Sequence, residues 1–166
     1  MKKLAISAAF AFSLFAQAAF ADIVNLPEED PSATVFVPKS WKPDPTETGF
    51  VCESPDQAVT VIFDVASEKG SEKLIEQGIE WLVENKVEID LKTQNEKSIT
   101  IGEIQWERIS WKGKSEDWGP SIVGFLFADV GNGKLVTITY WIVEKDLEKH
   151  TDALDAIIAS VKPVKG

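Results

Sequence analysis

The sequence is poor in the groups that catalytic and metal sites are usually built from. One cysteine, Cys52, and one histidine, His150, occur in 166 residues. A single thiol cannot close a disulfide within the chain, and its ordinary place is that of a small buried apolar side chain. A reactive thiol needs an activating neighbour, and none stands beside Cys52 in the sequence. The single imidazole removes the Ser–His, Cys–His and multi-histidine metal arrangements, all of which need partners. His150 falls between Leu147 and Leu154 at helical spacing, which reads as the border of a buried stripe and not as a proton shuttle.

Basic residues are also scarce. Lys and Arg number 17 against 27 Asp and Glu, for a net charge of −10. Such acidity repels phosphate backbones and anionic lipid surfaces, so nucleic-acid and polybasic membrane roles are excluded, while a basic partner is permitted. No apolar run reaches the roughly 20 residues of a membrane-spanning helix. The run Leu4–Phe15 follows Lys2 and Lys3 and precedes Ala19-Phe20-Ala21, a small-x-small cleavage pattern. Residues 1–21 are therefore expected to be a signal peptide, and the protein to be periplasmic or secreted. The mature chain would begin at Asp22 with 145 residues and a formal charge of −12, both lysines of the leader being lost. No cysteine follows the cleavage point, so no lipid anchor is expected. One domain of this size buries a core without metal or disulfide support.

Asp22–Ser32 holds four acids and two prolines and is expected to be a loose acidic arm. Ala33–Val37 reads as a strand, Lys39–Thr48 as turns around Pro43 and Pro45, and Gly49–Glu53 as a short strand. Val59, Val61, Phe63 and Val65 alternate as one face of a strand over Ala58–Val65. A helix is predicted over Ser71–Lys86, capped by Ser71, with Gly78 marking a close helix–sheet approach. Strands follow at Glu88–Thr93, Ser98–Ile101 and Ile104–Trp111, the last with a bulge near Arg108 and Ile109. Lys112–Gly119 reads as a polar loop. The runs Ile122–Val130 and Leu135–Val143 are apolar on successive residues and joined by Gly131-Asn132-Gly133, a hairpin covered on both faces. A last helix is expected over Asp146–Val161 with Asp146 as cap. Consecutive strands on short turns pair antiparallel, and two amphipathic helices need a sheet to cover. The predicted class is α+β: an antiparallel sheet of six to seven strands with two helices in α/β/α-like layers.

The 27 acids present no pair singled out for acid–base chemistry across a cleft. Asp129–Gly133 lacks the alternating oxygens and closing Glu of a calcium loop, and Gly131–Lys134 lacks the spacing of a phosphate loop. No catalytic residue, metal or cofactor is expected. Six tryptophans are the compositional oddity. Trp81, Trp106 and Trp141 read as core. Trp41 and Trp118 fall in polar loops, and Trp111 borders the second loop. Loop aromatics either cover the core edge or anchor a partner. Trp118 with Glu116 and Asp117, together with Trp41 and Trp111, are the candidate partner-binding residues.

The start Val35-Phe36-Val37-Pro38-Lys39-Ser40-Trp41, the strand after Ser54-Pro55-Asp56, and the ending Ile157-Ile158-Ala159-Ser160-Val161-Lys162-Pro163 carry a resemblance. Over Ala33–Pro163 the chain resembles the fold shared by photosystem PsbP-like proteins, Ran-binding Mog-type proteins and several bacterial domains of unknown function. The resemblance implies a single domain over 33–163 that binds or assists assembly and supplies no shared catalytic motif. Some bacterial relatives of that fold are secretion chaperones, from which this sequence departs by its export signal. The expected function is an exported, non-enzymatic protein-binding module: an immunity, inhibitor or accessory protein of the cell envelope or a secretion system. Its partner would be another exported or envelope protein, basic by charge complementarity. The alternative is a small-molecule carrier or weak hydrolase with a pocket under the Trp41 loop.

Overall fold

The computed structural model describes residues 21–164, without the side chains of Glu68 and Ser71. Of the expected signal peptide only Ala21 lies inside that range. The strands are β1 (Ala21–Leu26), β2 (Ala33–Pro38), β3 (Asp44–Pro45), β4 (Gly49–Glu53) and β5 (Val59–Ser67), then helix α1 (Ser71–Glu84). After it come β6 (Val87–Ile101), β7 (Ile104–Ser115), β8 (Gly119–Gly131), β9 (Lys134–Val143), helix α2 (Leu147–Ala159) and β10 (Lys162–Pro163). Seven strands form one antiparallel sheet in the order β3-β4-β5-β9-β8-β7-β6, and β1-β2-β10 form a second, smaller one. The α+β class and the two helices agree with the sequence reading; the small sheet is additional.

Alternation decides which side chains meet. Val59, Val61, Phe63 and Val65 of β5 and Ile138 of β9 share a core with Val35 and Val37 of β2 and Ile157 and Ile158 of α2. The opposite sheet face carries α1, where Leu82 packs with Val123, Trp141 and Val143. The β8–β9 hairpin lies between both layers, hence its apolar residues on both faces. Gly131, Asn132 and Gly133 all take positive φ at its turn. Gly78 allows α1 to lie close on the sheet: a Cβ there would stand 2.6 Å from Phe125 Cε1 and 2.8 Å from Thr139 Oγ1.

Several expectations are corrected. Ala21–Leu26, within the stretch read as a loose arm, is a strand in register with β2, and Leu26 is fully buried. Three of the four acids and both prolines that suggested looseness sit in the turn after it, where Ser32 N donates to Leu26 O at 2.9 Å. Glu88–Thr93 and Ser98–Ile101 belong to one long strand, β6, because a register shift between Asp90 and Asn95 carries the backbone through the polar stretch. There the Thr93 hydroxyl donates to Asp90 O (2.6 Å) and accepts from Lys112 N (2.8 Å), replacing ladder bonds. The irregularity thus lies on β6 and not at Arg108 and Ile109, where β7 pairs regularly with β8. Both residues are half-buried because layers cover both faces of β7. Lys112–Ser115 continues β7, so the expected loop shrinks to a turn of Glu116, Asp117 and Trp118. Gly70 occupies the cap position of α1. Asp146 occupies that of α2, with no capping side-chain bond among the described residues.

Candidate partner-binding site

The β7–β8 turn presents Trp118. Ser115 and Gly119 pair across its base, Gly119 has φ +78°, and Trp118 N donates to Ser115 Oγ at 3.4 Å. Trp118 stays 39% exposed and meets Trp141 edge-on, ring centroids 6.2 Å apart at 70°. Strand pairing places Trp141 opposite Val123 of β8 and Thr60 of β5, at the same end of the sheet. Trp81, near the end of α1, supplies a third ring. Trp81, Trp118 and Trp141 line a cavity of about 230 Å³ together with Glu53, Thr60 and Asp117, and no Lys, Arg or His lines it. Aromatic faces with two carboxylates and no basic group attract a cation.

The five residues singled out in the sequence are therefore dispersed. Trp118 and Asp117 share this cavity. Glu116 does not line it: its carboxylate pairs with Lys86 at 3.1 Å, and its N–H donates to Lys86 O at 3.2 Å, tying the turn to the segment between α1 and β6. Both side chains of that pair are mostly exposed, so it orients more than it stabilises. Trp111 is half-buried against α1's face of the sheet, edge-on to Phe125 at 6.0 Å, with its Nε1–H donated to Gln94 Oε1 at 3.1 Å. Trp41, in a short 3₁₀ turn over Lys39–Trp41, is buried and edge-on to His150 at 6.3 Å; it covers the core edge and offers no surface to a partner. Trp81, Trp141 and Glu53 were missed. They are distant in sequence and only long-range strand pairing unites them.

A polar cluster ties α2 to the β4–β5 turn. The Asp56 carboxylate accepts from Lys149, from Ser54 Oγ (2.7 Å) and from Ala58 N (3.4 Å), and lies 3.0 Å from His150 Nε2. The Lys149 bond, and then the Ser54 bond, hold the Asp56 carboxyl well below the ordinary carboxylate range. His150 is buried on the helix border, as expected. Beside the Trp41 loop runs a groove of about 560 Å³ lined by Lys42, Asp44, Cys52 and Ser54. Burial, reinforced by Glu53, pushes the Cys52 thiol up to about 12, so it is a protonated core residue at neutral pH. Among the described residues no cluster of three or more His, Cys, Asp or Glu is placed to hold a metal ion, and no helix is long and apolar enough to cross a membrane.

No family profile and no curated protein matches the sequence. Solved structures do. Cyanobacterial PsbP (CyanoP) from Synechocystis sp. PCC 6803 superposes with a TM-score of 0.58 at 7% identity, over 96% of this chain and 99% of that one. The fold is PsbP-like. LpqN, involved in cell envelope biogenesis of Mycobacterium tuberculosis, superposes with a TM-score of 0.56 at 11% identity, over 87% of this chain and 92% of that one. Within the PsbP-like fold the first and last of the stretches that carried the resemblance meet: Phe36 N, near the Lys39–Trp41 turn, donates to Ser160 Oγ at 2.9 Å, and that hydroxyl donates to Ile157 O at 2.6 Å.

Proposed function

We propose that this chain is an exported, non-enzymatic protein-binding module of the cell envelope, an immunity, inhibitor or accessory protein that takes a basic side chain of its partner at the Trp118 turn. The observation that carries the reading is the cavity where three indole rings face Glu53 and Asp117 without a basic residue. A lysine or arginine entering it gains cation–π contact and two carboxylates, while the half-exposed Trp118 supplies apolar area around it. The excess of acids over the rest of the surface speeds the approach of a basic protein. The PsbP-like fold, LpqN's part in envelope biogenesis and the leader-like start of the sequence support placing this role outside the cytoplasm.

Titration of intrinsic fluorescence with a lysine-rich peptide tests it. Saturable quenching is expected, weakened at least about tenfold in Trp118→Ala and in Asp117→Asn. The melting temperature of Trp118→Ala should stay within about 2 °C of the parent, since Trp118 is half exposed. Equal loss of binding and stability would assign Trp118 to the core and end the proposal.

A further inference from the structure

On the sheet face opposite α1, beneath α2, lies a separate cavity of about 270 Å³. Its walls are largely aliphatic, with Ile99 of β6, Ile122 of β8 and Ile142 of β9 below and Leu147, Leu154 and Ile158 of α2 above. Arg108 of β7 opens into it. It is the only arginine in the chain, a signal present in the sequence and overlooked there. Its Nε is buried and has no hydrogen-bond partner among the described residues. Ion pairs among those residues involve Lys39, Lys86, Lys149 and His150 but not Arg108. A buried guanidinium donor without an acceptor is costly, and an apolar cavity around it means that a ligand has room to supply one.

The remaining polar groups of the cavity are Ser110, Tyr140, Thr151 and Asp155. The Tyr140 hydroxyl stands over Gly124, where a Cβ would come within 2.6 Å of it, and burial pushes that phenol up. It is therefore a neutral donor beside the arginine. Asp155 is pushed up by burial and by Asp152, with Arg108 pulling the other way. One cation and one carboxyl in the same space disfavour a dianion such as a phosphate ester and tolerate a single negative charge.

We propose that this cavity binds a medium-chain alkyl carboxylate, its carboxylate accepting from Arg108 Nε–H and its chain lying among the isoleucines and leucines under α2. The volume equals roughly nine water molecules at about 30 Å³ each, which suits a chain of about eight carbons. A neutral chain leaves the Arg108 donor unpaired, and an alkylammonium ion is repelled by it.

Calorimetric titration with sodium octanoate, octanol and octylamine, together with amide chemical-shift mapping, tests the assignment. Octanoate should saturate with Kd below about 1 mM, octanol should bind at least about tenfold more weakly, and octylamine should not saturate. Shifts should concentrate on Arg108, Ser110 and α2 and spare the Trp118 turn. Arg108→Met should bind octanoate at least about tenfold more weakly while keeping its affinity for octanol. Octanol binding as tightly as octanoate, shifts centred on Trp118, unaltered octanoate affinity in Arg108→Met, or no saturation by about 10 mM would each overturn the proposal. Should Arg108→Met fail to fold, the octanoate-to-octanol ratio of the parent protein decides.

Discussion

Asp56 gathers more hydrogen bonds than any other carboxylate described here, and its depressed pKa ties stability to pH. A carboxyl whose pKa is lower folded than unfolded stabilises the protein fully above its unfolded value near 3.8, and that contribution disappears as pH falls through the folded value. Asp56→Asn is expected to cost about 1 kcal/mol at pH 7, the exposed Lys149 contact being discounted for solvent screening. The difference from the parent should shrink in urea unfolding curves recorded below pH 4. A constant difference from pH 7 to pH 3 would mean that packing and not ionisation is responsible. Cys52 gives a second test at this scale. With its thiol held protonated by burial, it should resist a thiol reagent such as Ellman's at pH 8 and react only on unfolding in denaturant.

The elements differ in how far their sequences declare them. β5, α1, α2 and the β8–β9 hairpin carry strong local patterns, and each lies within three residues of its expected bounds. β1 and the joined β6 were illegible because their polar residues look like turn chemistry until a partner strand supplies the hydrogen bonds. The candidate site shares that difficulty: Trp118 and Asp117 announce themselves in a turn, whereas Trp81, Trp141 and Glu53 join them only through sheet order. Gly78 shows an element-level conflict between propensity and packing. Alanine there improves intrinsic helix stability by up to about 1 kcal/mol, yet its methyl group would push into Phe125, which is buried, and Thr139. Gly78→Ala is expected to lower stability by about 1–2 kcal/mol net, read by thermal or chemical unfolding. Ser160→Ala should cost about 1 kcal/mol by leaving Phe36 N without its acceptor and loosening α2 from β2.

At the scale of the whole molecule, negative charge and layered closure dominate. If a basic partner is steered by the net charge, raising salt from about 0.02 M to about 0.5 M should slow association much more than dissociation in stopped-flow or surface-binding kinetics. The edges of the large sheet are blunted, by the two-residue β3 on one side and by Lys92, Glu96 and Lys97 along β6 on the other. The small sheet behaves differently. Its middle strand, β2, is completed on one side by β1 directly before it and on the other by Lys162 and Pro163, near the far end of the chain. A growing polypeptide therefore cannot finish the neighbourhood of β2 until Lys162 and Pro163, more than 120 residues later, have been synthesised. Until then Thr34 and Ala33 show an open flank, and the small sheet stays unlocked for as long as β10 is missing.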